Sequence, residues 1–336
     1  MDIHITLWQP VMTTDTTAPS YWLNWRFLLC AIWILAAMVG AAILIWRFEG
    51  FTKSKGKQRD FQKKKVGVLY KDEAWRTSSK RIHPAWLLAY RVIAFSMLLG
   101  ILIGDVVLHG ARIFYFYTQW TFTTVIIYFG AASYFSLHGC LHCHNEISGA
   151  DFVHSDAEKG TYVAPSLGED RNAHCSPRNS NSHGEPCARK TAGAGGYAFQ
   201  ILFQTCAGAV VLTDIVFWLI LFPKAHRLNF FKVCMHSVNA VALFGDVTLN
   251  GLRFPSFRVA YFILWTSMFV IFQWIIHAFV SMQWPYPFLD LSSPYAPAWY
   301  LGVGLLTVPC FGIVALVIRI KKSLVCPRIT LEREVG

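Results

Sequence analysis

Residues 27–46 read FLLCAIWILAAMVGAAILIW, an unbroken apolar run closed by Arg47. At about 1.5 Å per residue, a helix of this length crosses a hydrocarbon core of about 30 Å. A signal-peptide core is only about 7–15 residues long, so this run is expected to be a retained span. It carries no polar face for water, which a surface helix of a soluble domain would need. Further apolar runs of spanning length follow at 86–108, 117–137, 197–222, 229–249, 259–280 and 299–320. Only the fifth run is strongly interrupted, by Lys232, His236, Asn239 and Asp246. The expected fold is all-α, a polytopic bundle of seven transmembrane helices.

Composition agrees. Hydrophobic residues make up 54% of the 336-residue chain and charged residues 15%, against about 25% charged in an ordinary soluble domain. The net charge of +11 does not point to nucleic acid, because Lys and Arg crowd the segments between apolar runs, chiefly 47–81. The positive-inside rule puts that basic segment in the cytosol. Alternation then carries Arg253, Arg258, Lys321 and Lys322 to the same side, with the N-terminus outside and the C-terminus cytosolic. Trp22, Trp25, Trp46, Trp86, Trp284 and Trp299 fall near run ends, as an interfacial aromatic belt should.

The organisation read from this is an outer segment 1–26, a first span 27–46 and a basic cytosolic loop 47–85. A six-span bundle 86–320 and a cytosolic tail 321–336 follow. The bundle contains a Cys/His-rich loop, 138–196, and an aromatic, Pro-rich loop near 283–298 expected to cap the outer end. The chain is expected in the plasma membrane or in the endoplasmic reticulum and related endomembranes. Its expected partners are membrane lipids.

Ionisable groups at membrane depth face a bundle interior or a cavity. Asp105, Asp214, His236, Asp246 and His277 are such groups. At about 100° per residue, Lys232, His236, Asn239 and Asp246 share an arc of about 80°, and Tyr117, Thr121, Thr124 and Tyr128 one of about 60°. Thr124 and His236 each lie about two turns inside the outer ends of their spans. Together with Asp105, Asp214 and His277 they define a polar pocket in one half of the bilayer. Asp105 and Asp214 read as partners for Arg or His.

Cys140 and Cys143 form a Cys-x-x-Cys-His sequence with His144, the haem c spacing. A cytosolic loop is the wrong compartment for haem attachment. A Cys₄ zinc site from Cys140, Cys143, Cys175 and Cys187 is the metal alternative; the second pair lacks the short spacing of a zinc knuckle, and a solvated loop without metal is the plainer reading. Cys326, after Lys321 and Lys322, is a candidate for palmitoylation.

Several short motifs resemble known proteins. They are Cys234-Met-His236-Ser-Val-Asn239, Leu252-Arg253-Phe254-Pro255, Trp274-Ile-Ile-His277, Trp284-Pro-Tyr286-Pro287-Phe288-Leu289-Asp290 and Tyr117-Thr-Gln-Trp120-Thr-Phe-Thr-Thr124. They resemble the rolling-stone-like proteins and the related androgen-induced-gene family, over the second to seventh spans. The resemblance implies an intramembrane threonine hydrolase of fatty-acid esters of hydroxy fatty acids, without a cofactor. Its Thr falls on Thr124 and its His on His236, with Tyr128 or Asn239 orienting the base or donating to the oxyanion. The extra first span and the long Cys/His loop depart from that family. The Tyr-Pro-x-Leu-Asp loop matches the rolling-stone branch better, whose members are associated with cell fusion rather than an assigned reaction. A scaffold of that type is therefore the alternative. A seven-span receptor lacks Asp-Arg-Tyr and Asn-Pro-x-x-Tyr motifs here, and a transporter would be expected to show repeats and broken spans.

Overall fold

The computed structural model describes residues 15–49, 69–79, 82–158, 191–222 and 229–334, with the side chains of 71, 142–158 and 325–334 left aside. Among the described residues seven helices are long and apolar enough to cross a membrane. They are α1 (Trp25–Glu49), α2 (Pro84–His109), α3 (Tyr117–Glu158), α4 (Ala194–Leu221), α5 (Phe230–Leu249), α6 (Val259–Phe279) and α7 (Ala296–Glu334). Among the described residues the only β pairing is two isolated bridges, Tyr70 with Thr191 and Thr77 with Asn250. The chain is a multi-pass, all-helical membrane protein.

Local chemistry sets the ends of α2. Pro84 opens it with a fixed φ, and the His83 side chain accepts from the Ala85 N–H at 3.2 Å. Gly110 stops it at φ 72, a conformation that glycine adopts without cost, and its N–H closes on the Val106 carbonyl at 2.8 Å. Two helices outrun their apolar runs. α3 continues through the first part of the expected loop 138–196, and α7 continues into the expected tail.

α4 is the hub. It packs against α3, α5, α6 and α7, while α1 lies outside α6 and α7, and α2 lies outside α3 and α5. In their most apolar stretches 67% of α4 is buried but only 11% of α1. An apolar residue on α1 faces lipid as readily as protein, so its composition alone cannot distinguish the two. Gly208 permits the closest approach to α6, since a Cβ there would lie 2.6 Å from the Phe262 ring.

Adjacent helices alternate in direction, giving the bundle two distinct ends. The cap end holds the turn Pro19–Trp22, the 3₁₀ turn Ala111–Tyr115 and the 3₁₀ turn Pro287–Leu289. Tyr21 ties these together: its hydroxyl donates to Asp290 Oδ1 at 2.8 Å and accepts from Trp284 Nε1 at 2.9 Å and from the Leu291 N–H at 3.1 Å. Burial, and then the Asp290 charge, push the Tyr21 phenol well above its usual range, so it remains a donor.

The opposite, basic end is closed by part of the expected basic loop. Residues 69–79 lie across it, with Leu69 and Ala74 buried and the Gly251 N–H on the Arg76 carbonyl at 2.8 Å. Beneath them Arg91 donates to Asp246 at 2.7 Å, to Ser136 Oγ at 2.6 Å and to the Ala74 carbonyl at 2.9 Å. Asp246 also accepts from Tyr128 and from Asn250. Arg91 and Asp246 are both fully buried. In a low-dielectric interior such a pair persists only when its hydrogen-bonding capacity is used up.

Candidate functional site in the cap-end half

Two of the spans depart from α-helical winding at the same level. α4 turns π-helical over Val216–Leu221, and α5 over Cys234–Val238. Such single-turn insertions recur at functional sites, because an extra residue per turn swings side chains out of the regular phase. Here the two insertions grip one imidazole. The Phe217 ring lies parallel to the His236 ring, with centroids 3.7 Å apart and planes 3° apart. Trp218 Nε1 donates to the His236 carbonyl at 3.0 Å.

On the other side of the imidazole, His236 Nδ1 lies 3.5 Å from Asp214 Oδ1. That is ion-pairing reach without hydrogen-bond geometry, and neither atom has another partner. Both side chains are substantially buried, at 7% and 17% exposure. Two unbonded polar atoms facing each other off water are costly, at about 1–3 kcal/mol apiece. A shift of well under 1 Å would join them.

His236 opens onto an apolar cavity of ≈ 60 Å³ between α3, α4, α5, α6 and α7. Its walls include Thr213, Val216 and Phe217 of α4, with Phe269 and Val270 of α6. Tyr286, Phe288 and Leu289 of the cap belong to its lining. With Nδ1 turned to Asp214, Nε2 is the nitrogen left to serve the cavity. The site thus combines a carboxyl group, an imidazole and an apolar chamber, the elements that general-base chemistry on an apolar molecule requires.

The remaining expected residues separate into other groups. Thr124 is buried, and its hydroxyl donates to its own helix at the Trp120 carbonyl, 2.6 Å away. It does not line the cavity, and among the described residues no hydrogen bond joins it to His236. Tyr128 belongs to the Arg91–Asp246 cluster at the basic end. Asn239 is buried, with Oδ1 on the Ala240 N–H and Nδ2 without a partner. Asp105 pairs with His109 Nδ1 at 2.7 Å and accepts from Gln119 Nε2 at 2.8 Å, as a structural partner should.

His277 sits under the cap. Its Nδ1 donates to the Gln273 carbonyl at 2.7 Å, Nε2 lies 2.9 Å from the Tyr115 hydroxyl, and its ring stacks on Trp284 at 3.6 Å. Burial raises the Tyr115 phenol, which stays protonated and donates to the Gln283 carbonyl at 2.7 Å. Cys140 lies within α3 rather than in a loop. The Cys143 side chain, Cys175, Cys187 and the Cys326 side chain lie outside the described residues, and among the described residues no cluster of three metal-ligating side chains occurs.

Sequence reasoning missed Phe217, Trp218 and the π-helical insertions. Hydropathy does not register an extra residue per turn. The aromatic Phe217-Trp218 pair beside Asp214 was the available signal. No protein-family model, curated protein or solved structure matches this chain.

Proposed function

We propose that this protein hydrolyses lipid esters within the membrane, with His236 as general base and Asp214 as the group that orients it. The observation that carries this reading is the 3.5 Å approach of the Asp214 carboxylate to a clamped imidazole on the wall of an apolar cavity. A carboxylate behind one ring nitrogen fixes the tautomer and leaves the other free to take a proton from a hydroxyl. The apolar walls select a hydrocarbon chain over a polar ligand. A threonine hydroxyl, as the resemblance to the androgen-induced-gene family implies, would attack the ester carbonyl. His236 would pass the proton to the leaving alkoxide and then activate water. This chemistry calls for no cofactor.

The test is hydrolysis of a fluorogenic lipid ester by the full chain in nanodiscs. Wild type is expected to turn over, and His236→Ala and Asp214→Ala to lose activity while staying monodisperse. Wild type that is inert across esters of several chain lengths, or variants equal to it, would remove the enzyme reading and leave a non-catalytic scaffold of the rolling-stone type.

A further inference from the structure

We infer that the hydroxyl activated by His236 is that of Thr213. This rests on the hydrolase reading above and asks which side chain carries the acyl group.

The cavity decides first. Three threonines line it with His236: Thr118, Thr213 and Thr266. Thr124 is not among them. Placement decides next. At about 1.5 Å per residue from the cap-end helix termini, His236 lies about 9 Å deep and Thr213 about 12 Å. Thr118 lies in the first turn of α3 beside the cap, with the Tyr286 hydroxyl 3.4 Å from its own, and Thr266 stands on α6, where its hydroxyl meets that of Tyr117 at 3.0 Å and donates to the Phe262 carbonyl at 3.1 Å. Of the three, Thr213 alone is on α4, the helix that also brings Asp214 and Phe217 to the imidazole. It also directly precedes Asp214, and α4 packs against the π-helical turn of α5 that carries His236.

The hydroxyl has a defined resting state. It donates to the Ala209 carbonyl at 2.7 Å, and Thr121 Oγ1 stands 3.3 Å away. With the Thr213 proton on Ala209, Thr121 donates to Thr213 and holds its oxygen in place. Rotating that proton from the carbonyl toward His236 Nε2 frees a lone pair for attack; catalytic hydrogen bonds are often formed only when substrate arrives. Thr213 Oγ1 then bonds to the ester carbonyl carbon and its proton moves to Nε2. The C–O bond to the leaving alcohol breaks, and the alkoxide takes that proton. Water attacks the acyl-Thr213 ester, gives a proton to His236, and the carboxylic acid leaves as Thr213 recovers its hydrogen.

The experiment uses the full chain in nanodiscs and an alkyl fluorophosphonate, with the labelled peptide located by mass spectrometry. Hydrolysis and melting temperature are followed in wild type, Thr213→Val, Thr213→Ser and His236→Ala. The expected result is an adduct on Thr213 that His236→Ala prevents. Thr213→Val, which keeps the side-chain shape, should lose activity on the order of 10³-fold, and Thr213→Ser should retain measurable activity. An adduct on Thr124 or elsewhere, with hydrolysis surviving Thr213→Val, would overturn the assignment and leave the hydrolase reading standing. Neither adduct nor hydrolysis in folded wild type would overturn both.

Discussion

Two polar clusters inside this bundle are built in opposite ways. At the basic end, Arg91 and Asp246 are sealed from solvent and their hydrogen bonds are shared among Tyr128, Ser136, Asn250 and the Ala74 carbonyl. In the cap-end half, Asp214, His236 and Asn239 each keep a buried atom without a partner, and His236 lines an open cavity. Saturated networks fix a structure. Unsaturated ones cost stability, and a fold that keeps them is using them or filling them with something else.

The largest expected effect is at the saturated end. Arg91→Met alone strands the Asp246 carboxylate and should cost about 3–5 kcal/mol, read by thermal unfolding in nanodiscs. The double substitution Arg91→Met with Asp246→Leu should recover most of that loss, since no charge is left unpaired. A double variant as unstable as the single one would mean the cluster acts through packing. His236→Ala sharpens the contrast from the other side. Catalysis should fall on the order of 10²-fold or more, while stability should change by only about 0.5–1.5 kcal/mol, the worth of the lost Phe217 stack. Equal damage to folding would place His236 in the structural class.

Smaller effects test the hub and the cap. Gly208→Ala would drive a methyl into the Phe262 ring and should cost about 1–3 kcal/mol by the same thermal assay. Tyr115→Phe removes the hydroxyl shared by His277 and the Gln283 carbonyl. It should cost about 1 kcal/mol and raise the cleavage of residues 280–295 by added protease, with little change in the melting of the bundle.

Much of this fold was legible in the sequence because lipid makes a simple demand. Every spanning segment must satisfy its own backbone, so length and apolarity mark it. The runs at 27–46 and 229–249 match Trp25–Glu49 and Phe230–Leu249 to within a few residues. Where α3 passes Leu137 and α7 passes Ile320, polar sequence hid the continuing helix. Helical phase rightly placed Tyr117, Thr121, Thr124 and Tyr128 inward, and all four are buried. Phase could not say which neighbour each would meet: Tyr117 meets Thr266 of α6, Thr121 meets Thr213 of α4, and Tyr128 meets Asp246 of α5. The α5 stripe likewise serves two ends, with His236 on the cavity and Asp246 in the basic-end cluster. The meeting of Asp214 with His236 is a tertiary fact, set by two π-helical turns that no periodicity reveals.

The attachment of α1 has a consequence for the order in which the protein is assembled. Its two ends are latched and its middle is bathed in lipid. Arg26 donates to the Ser292 carbonyl at one end, and Glu49 accepts from Arg258 and Tyr261 at the other. These partners follow in the chain by 266, 209 and 212 residues. During synthesis, therefore, α1 enters the bilayer long before any of its partners exists. Its low demand for protein contact suits that wait, since it is already at home among acyl chains. Its latches close only when α6 and the cap have been delivered, so the segment that leads the bundle in sequence is among the last to be fastened to it.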